Sequence, residues 1–226
     1  MALKTIYQPK TNGIGVIRTL IEYEYFSGFA LSQKQKCINS LHKAAMEKGI
    51  TKVLEISSKS TIELGTKLSA FNLMLTKDND KFSVEQIFQA SKVFEQGGPY
   101  LDLYDKTSKE AKMDIRLKSS GKLIAFKFQN SNFPIQPYTY FYDWVYSSAL
   151  LENKPLLEKA LEFNAFSDIE FNEKKSINCQ AYSLALFCSI IHNKNEIINQ
   201  SLKMNFYHYV MKSIIYVGIF KKVLYR

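Results

Sequence analysis

The chain has 226 residues, 46% of them hydrophobic and 23% charged, with nine Gly and five Pro. This is a globular composition, large enough for one core, and it excludes collagenous, low-complexity and disordered classes. The formal charge is +9 but gathers late: Lys194, Lys203, Lys212, Lys221, Lys222 and Arg226 face Glu196 alone, so the body is only mildly basic and compatible with a polyanionic partner without requiring one.

In chain order, residues 5–7 read as a short strand ended by Pro9, Asn12-Gly13 as a turn, and 16–26, rich in Ile and Tyr, as a second strand. Residues 32–48 are predicted as an amphipathic helix with Ser32 as cap, Ile38, Leu41 and Ala45 inside, and Gly49 as stop. Residues 53–57 read as a short buried strand. Lys59, in the polar turn that follows, is either a phosphate or ribose contact at the mouth of a site or a surface lysine.

The most strongly marked element begins at Ser83. Ser83 and Gln86 form a capping box, Phe82 and Ile87 a hydrophobic staple, and Gly97 supplies the stop. Val84, Ile87, Phe88, Ser91 and Phe94 then share the buried face. On the other side Glu85, Gln89, Lys92 and Gln96 form one polar stripe. Glu85 and Lys92 sit ~10 Å apart along the axis. That is too far for a direct ion pair, but it suits two groups reaching for opposite ends of one ligand. The alternative is a solvated stripe.

Thr107 and Glu110 form a second capping box, opening a helix to about Arg116. Lys112 and Arg116, four apart, share a face that either binds a diphosphate or is a solvated basic face beside Asp114. Residues 123–129 read as a strand, and Pro134 and Pro137 bracket a loop. Residues 138–153 are an aromatic-rich helix in which Trp144 either stacks a base or belongs to the core. Asp143 is a ribose-hydroxyl acceptor or an exposed helix residue. Pro155 starts a helix running to about residue 163. If 168–171 is extended, Asp168 and Glu170 project from one face, and paired carboxylates beside a ribose can stabilise oxocarbenium charge and activate water. Ser176 caps a long apolar helix, 177–191, in which Cys179 and Cys188 pack as small hydrophobes.

The tail from 193 is amphipathic, aromatic and basic: helices packing on the body, a dimer contact or a DNA-facing arm. Its apolar run, 213–220, is too short to span a bilayer. Cys37, Cys179 and Cys188, odd in number and widely spaced, read as reduced thiols. His42, His192 and His208 form no ligand cluster, and no zinc, phosphate-loop or dinucleotide pattern occurs. The N-terminus lacks the apolar stretch of a signal peptide. These features predict a cytoplasmic protein with no metal or redox cofactor and no membrane association.

SVEQIFQASKVF followed by SKEAKMDIR resembles the signature of the NADAR superfamily: a Ser/Thr-x-Glu helix start, a Phe-Gln-Ala-x-Lys-Phe run and an Ala-Lys-x-x-x-Arg segment. SQKQK, LEISSKS, LGTKLSAFNL, FEQGGPYLDLY, FYDWVY and AFSDIEFNEKKSINCQA extend the likeness to the bacterial branch found beside DarT-type DNA ADP-ribosyltransferase toxins. The resemblance implies an α+β, predominantly helical single domain with a few short strands over residues 1–192, followed by a basic, aromatic helical extension over 193–226. It implies an N-glycosidase that removes ADP-ribose from guanine bases of DNA and acts as antitoxin to such a toxin, its partners being ADP-ribosylated DNA and the toxin.

The resemblance also makes Glu85 and Lys92 essential, makes Asn72, in the Ser-Ala-Phe-Asn run, a pocket-lining residue, and favours a ligand role for Arg116. Gln89, Trp144, Asp168, Glu170 and Lys59 complete the expected substrate contacts. Breaking the N-glycosidic bond builds positive charge on C1 of the ribose. Glu85 either stabilises that charge or acts as acid–base. Lys92 either holds a phosphate or hydroxyl by charge, or attacks the opened sugar to form a Schiff base, which needs a lowered pKa. Two alternatives stand: a non-catalytic binder of ADP-ribosylated DNA or of the toxin, and an N-glycosidase acting on a riboflavin-pathway nucleotide. The riboflavin branch carries a Trp-Gly-containing Asp motif. SDIEFNEKKSINCQA lacks Trp-Gly, which argues against that role.

Overall fold

The computed structural model describes residues 1–193. Along the chain run β1 (Ala2–Pro9), β2 (Val16–Tyr23), α1 (Leu31–Glu47), β3 (Val53–Glu55), α2 (Glu63–Lys67), β4 (Met74–Lys77), β5 (Asp80–Ser83), α3 (Val84–Ala90) and β6 (Lys92–Phe94). After a 3-10 turn (Leu101–Asp105) come α4 (Ser108–Met113), α5 (Arg116–Ser119), β7 (Leu123–Phe128), β8 (Ser131–Pro134), α6 (Tyr140–Glu152), α7 (Lys154–Ala160), β9 (Ala165–Ser167) and α8 (Gln180–His192). The α+β class holds. The expectation of a predominantly helical fold does not, because nine strands in three sheets lie among the described residues. None of the described helices is long and apolar enough to cross a membrane. The expected 193–226 extension lies outside the described residues beyond Asn193.

The chain divides into two compact units. One holds Met1–Ser69 and the described residues from Lys154 onward. Its sheet has the order β2-β1-β9-β3. β1 and β2 pair antiparallel along their full lengths, from Ala2↔Tyr23 to Pro9↔Val16. β9 is antiparallel to β1 and parallel to β3. Thr5, Ile6 and Tyr7 are all buried, so β1 is covered on both faces. Ile6 joins the cluster built with Cys37, Ile38, Leu41 and Ala45 of α1. On the other face Tyr7 meets Tyr182 of α8 edge-on. Cys37, Cys179 and Cys188 are buried free thiols. Two caps differ from expectation. Ala30, not Ser32, precedes α1, and it offers no side-chain cap. α8 starts at Gln180, four residues after Ser176.

The other unit holds residues 70–153. β4 and β5 form a hairpin whose two-residue loop, Asp78 and Asn79, has both φ values positive (51° and 74°). β5 runs directly into α3. Ser83 Oγ accepts from Gln86 N at 3.1 Å, and Gln86 Oε1 accepts from Ser83 N at 2.9 Å, so the expected capping box is present. The expected length is not. α3 ends at Ala90, and the backbone from Lys92 pairs with β7 (Lys92↔Phe126, Val93↔Ala125). Gly97 therefore caps no helix and instead bridges back to Phe94. β8, just ahead of the loop expected between Pro134 and Pro137, completes the β6-β7-β8 sheet. The Thr107–Glu110 box opens α4 as expected, but α4 ends at Met113 because Asp114 is extended (ψ 128°). Phe88, Phe126, Phe128, Phe133 and Phe141 form the aromatic core of this unit. Trp144 packs in it against Phe128, Phe133 and Phe141.

Replacing Ser83 with Ala removes the acceptor for Gln86 N and the partner of Ser108 Oγ, 2.7 Å away. An exposed N-cap loses about 1 kcal/mol on such a change. Because Ser83 is fully buried, the expected loss is about 1–2 kcal/mol, read as a lower urea midpoint at unchanged m-value. An unchanged midpoint would mean that this box does not hold α3 in place.

Candidate functional site

The predicted polar stripe is polar but not solvated. Glu85 and Gln89, in α3, are 4% and 5% exposed. Gln89 Nε2 donates to Glu85 Oε1 at 2.7 Å, and Gln89 Oε1 accepts from Lys92 Nζ at 2.7 Å. One amide thus links the two residues that are too far apart for a direct ion pair. Lys92 belongs to β6, not to the helix. Gln96 is exposed and outside the chain of contacts. Lys112 Nζ approaches Glu85 Oε1 at 3.5 Å and lies over the Phe71 ring, while Lys92 Nζ lies 4.7 Å from the Phe88 ring centroid. Burial pulls the Lys92 ammonium down to about 8. The Glu85 carboxylate opposes that shift, and the Lys112 charge adds to it. The cluster therefore sets an amine whose proton is held less tightly than usual beside a buried carboxylate.

Arg116 is not on a helix face with Lys112; the break at Asp114 separates them. Its guanidinium is bidentate on Asp102 (Nη1–Oδ1 3.1 Å, Nη2–Oδ2 2.6 Å) and also grips Asp114 (Nε–Oδ1 2.8 Å, Nη2–Oδ2 2.9 Å). It lies over the Tyr100 ring. These donors hold the Asp114 carboxyl well below the usual carboxylate range. Asn72 is exposed, and Asp143 is buried in the first turn of α6.

In the other unit Asp168 and Glu170 do not share a face, contrary to the extended reading. β9 ends at Ser167, and Asp168 Oδ1 accepts from Glu170 N (3.2 Å) and Phe171 N (3.1 Å) in a turn. Asp168 is buried, whereas Glu170 is exposed and pairs with Lys34 at 3.1 Å. The carboxylate coupled to Asp168 is Glu55, which the sequence reading missed. Glu55 is 1% exposed. Its carboxylate accepts from Ser57 Oγ (2.7 Å), Ile169 N (2.8 Å) and Ser167 Oγ, whose oxygen also meets His42 Nε2 at 2.8 Å. Burial, and then the Glu55 charge, push Asp168 above the ordinary carboxylate range. Burial pushes Glu55 up as well, opposed by its hydrogen bonds and by Lys4. Two such groups do not both ionise cheaply. The signal for Glu55 was an acid inside the short apolar strand VLEIS. Lys59 is half-buried in the turn beyond, its backbone N–H donating to Ser57 Oγ.

A family model described as DarT1-associated NADAR antitoxin matches residues 2–215. No curated protein matches the chain.

The Lys92 environment predicts a labelling profile. Amine-reactive labelling followed by peptide mass spectrometry should give Lys92 a midpoint of about 8. Lys112→Ala, which removes the like charge, should move that midpoint up. Glu85→Gln, which removes the favourable charge, should move it down. A wild-type midpoint near the ordinary lysine value of about 10.4 would mean that Lys92 is not desolvated.

Proposed function

Because the chain belongs to the DarT1-associated NADAR antitoxin family, we propose that it is an N-glycosidase that removes ADP-ribose from guanine bases of DNA and so reverses the modification made by a DarT-type toxin. The observation that supports this reading most is the Glu85–Gln89–Lys92 hydrogen-bonded chain, with its half-buried, partly neutral amine.

As the base departs, positive charge develops on C1 of the ribose, and the buried Glu85 carboxylate suits its stabilisation in a low-dielectric setting. With a value of about 8, roughly a tenth of Lys92 is unprotonated at pH 7. That amine attacks C1 and the bond from C1 to the guanine nitrogen breaks. The proton shed by the attacking nitrogen is the one the guanine nitrogen takes up, and Glu85 is suited to carry it. The ring oxygen then leaves C1, taking a proton from water, as a protonated Schiff base forms. Water adds to C1 and Lys92 departs as the free amine, releasing ADP-ribose. Arg116 would have to exchange a carboxylate to hold a phosphate, so Lys112, exposed and next to Glu85, is the better diphosphate contact. The substrate-contact roles of Lys59, Asn72, Trp144, Asp168 and Glu170 rest on the family resemblance.

The test is release of ADP-ribose from ADP-ribosylated single-stranded DNA. Wild type should turn over, and Glu85→Gln and Lys92→Ala should each lose about 10²–10³-fold. Cyanoborohydride added during turnover should trap an adduct on Lys92 that mass spectrometry locates. Folded wild type that binds the modified DNA and leaves it intact would favour the non-catalytic binder instead.

A further inference from the structure

The turn between α4 and α5 presents apolar side chains outward from a rigid ionic base. Asp114 is extended and points inward. Its carboxylate accepts from Arg116 N (3.0 Å), Nε and Nη2 and from Lys106 Nζ (3.1 Å), and its side chain is only 6% exposed. Met113 is 65% exposed and Ile115 71%. Leu101, next to Asp102 of the same network, is 59% exposed. Each of the three is one residue from a member of the Asp102–Arg116–Asp114 network.

Scattered surface apolar residues need no explanation, but three features set these apart. They surround one network that immobilises the backbone carrying them. Three of the acids nearby are already engaged: Asp102 and Asp114 by Arg116, and Glu110 by the N–H and hydroxyl of Thr107. Lys109 and Lys118, exposed on either side of the turn, make no ion pair among the described residues. The third feature is position. Lys112, the residue before Met113, is the one whose ammonium reaches Glu85 at 3.5 Å. An apolar projection flanked by cations, one residue along the chain from the lysine that reaches Glu85, fits a nucleic acid strand better than a free nucleotide. Bases next to the reacting one can rest on Met113 and Ile115, while their phosphates meet Lys109 and Lys118.

We propose that the Met113–Ile115 turn is the contact for the DNA strand flanking the modified guanine, holding that base unstacked beside Glu85 and Lys92. This deepens, and rests on, the glycosidase reading above. It predicts that the enzyme distinguishes a modified oligonucleotide from the isolated modified nucleotide through this turn.

The experiment uses the full chain and the double variant Met113→Ser/Ile115→Ser, both sites being exposed enough for the fold to tolerate the change. Two substrates are compared: a single-stranded oligonucleotide with one ADP-ribosylated guanine, and ADP-ribosylated guanosine monophosphate. The variant should raise KM on the oligonucleotide about tenfold, the loss expected on removing an apolar side-chain contact of about 1.4 kcal/mol. Its kcat, and its kcat/KM on the mononucleotide, should match wild type. Fluorescence anisotropy with an unmodified oligonucleotide should show a parallel loss of binding. Equal effects on both substrates, or none on either, overturn the proposal. So does unchanged DNA binding together with lost capture of a DarT-type toxin, which would assign the turn to a protein partner. Absence of turnover by wild type would defeat the glycosidase reading, and the anisotropy comparison would still decide whether the turn contacts DNA.

Discussion

The polar centre of the 70–153 unit depends on a single side-chain amide. Gln89 donates to Glu85 and accepts from Lys92, so the carboxylate and the ammonium are joined through a neutral group and never touch. A direct buried ion pair would fix both charges, and the lysine would keep its proton. With the amide between them, Glu85 raises the Lys92 pKa too little to overcome burial, and Lys112 lowers it further. The amine and the carboxylate are thus held apart by one glutamine.

That spacing follows from where the helix stops. A helix continuing to Gly97 would have set Lys92 two turns along from Glu85 on the same stripe. The chain leaves the helix at Ser91 instead, whose carbonyl accepts from Lys127 N at 2.8 Å, and Lys-Val-Phe pairs with β7. The sequence periodicity placed Glu85, Gln89 and Lys92 on one side correctly, because strand and helix happen to agree there. The stop was illegible for a physical reason. Lys92, Val93 and Phe94 suit either state locally, and the choice is made by β7, about thirty residues away, which offers the strand a partner. The caps were legible because a capping box is decided within four residues. The β4–β5 hairpin also had a local signal, the turn-prone pair Asp78-Asn79.

The carboxylates show the same division between local and distant causes. Asp168 stood out in the sequence as an acid beside Glu170, and alternation paired the two. In the structure the strand ends one residue earlier, and the turn uses Asp168 Oδ1 to satisfy two backbone N–H groups. Glu170 is thereby released to Lys34, and Glu55 takes its place through the parallel β3–β9 register, Glu55↔Ser167. No periodicity within either segment encodes that register. It appears only once the strands are side by side.

Glu55 also has a constructional role separate from its charge. Its two oxygens bind Ser167 Oγ and Ile169 N, the residues on either side of Asp168, so it fixes the backbone from which Asp168 projects. Burial and the Glu55 charge together work against ionisation of Asp168, and burial works against that of Glu55. Lys4 relieves this only in part, because its ammonium is already donating to the carbonyls of Ile169 and Phe171. An apolar residue at position 55 would remove the repulsion and would also remove the acceptor for Ile169 N, a buried donor whose loss of a partner is itself destabilising.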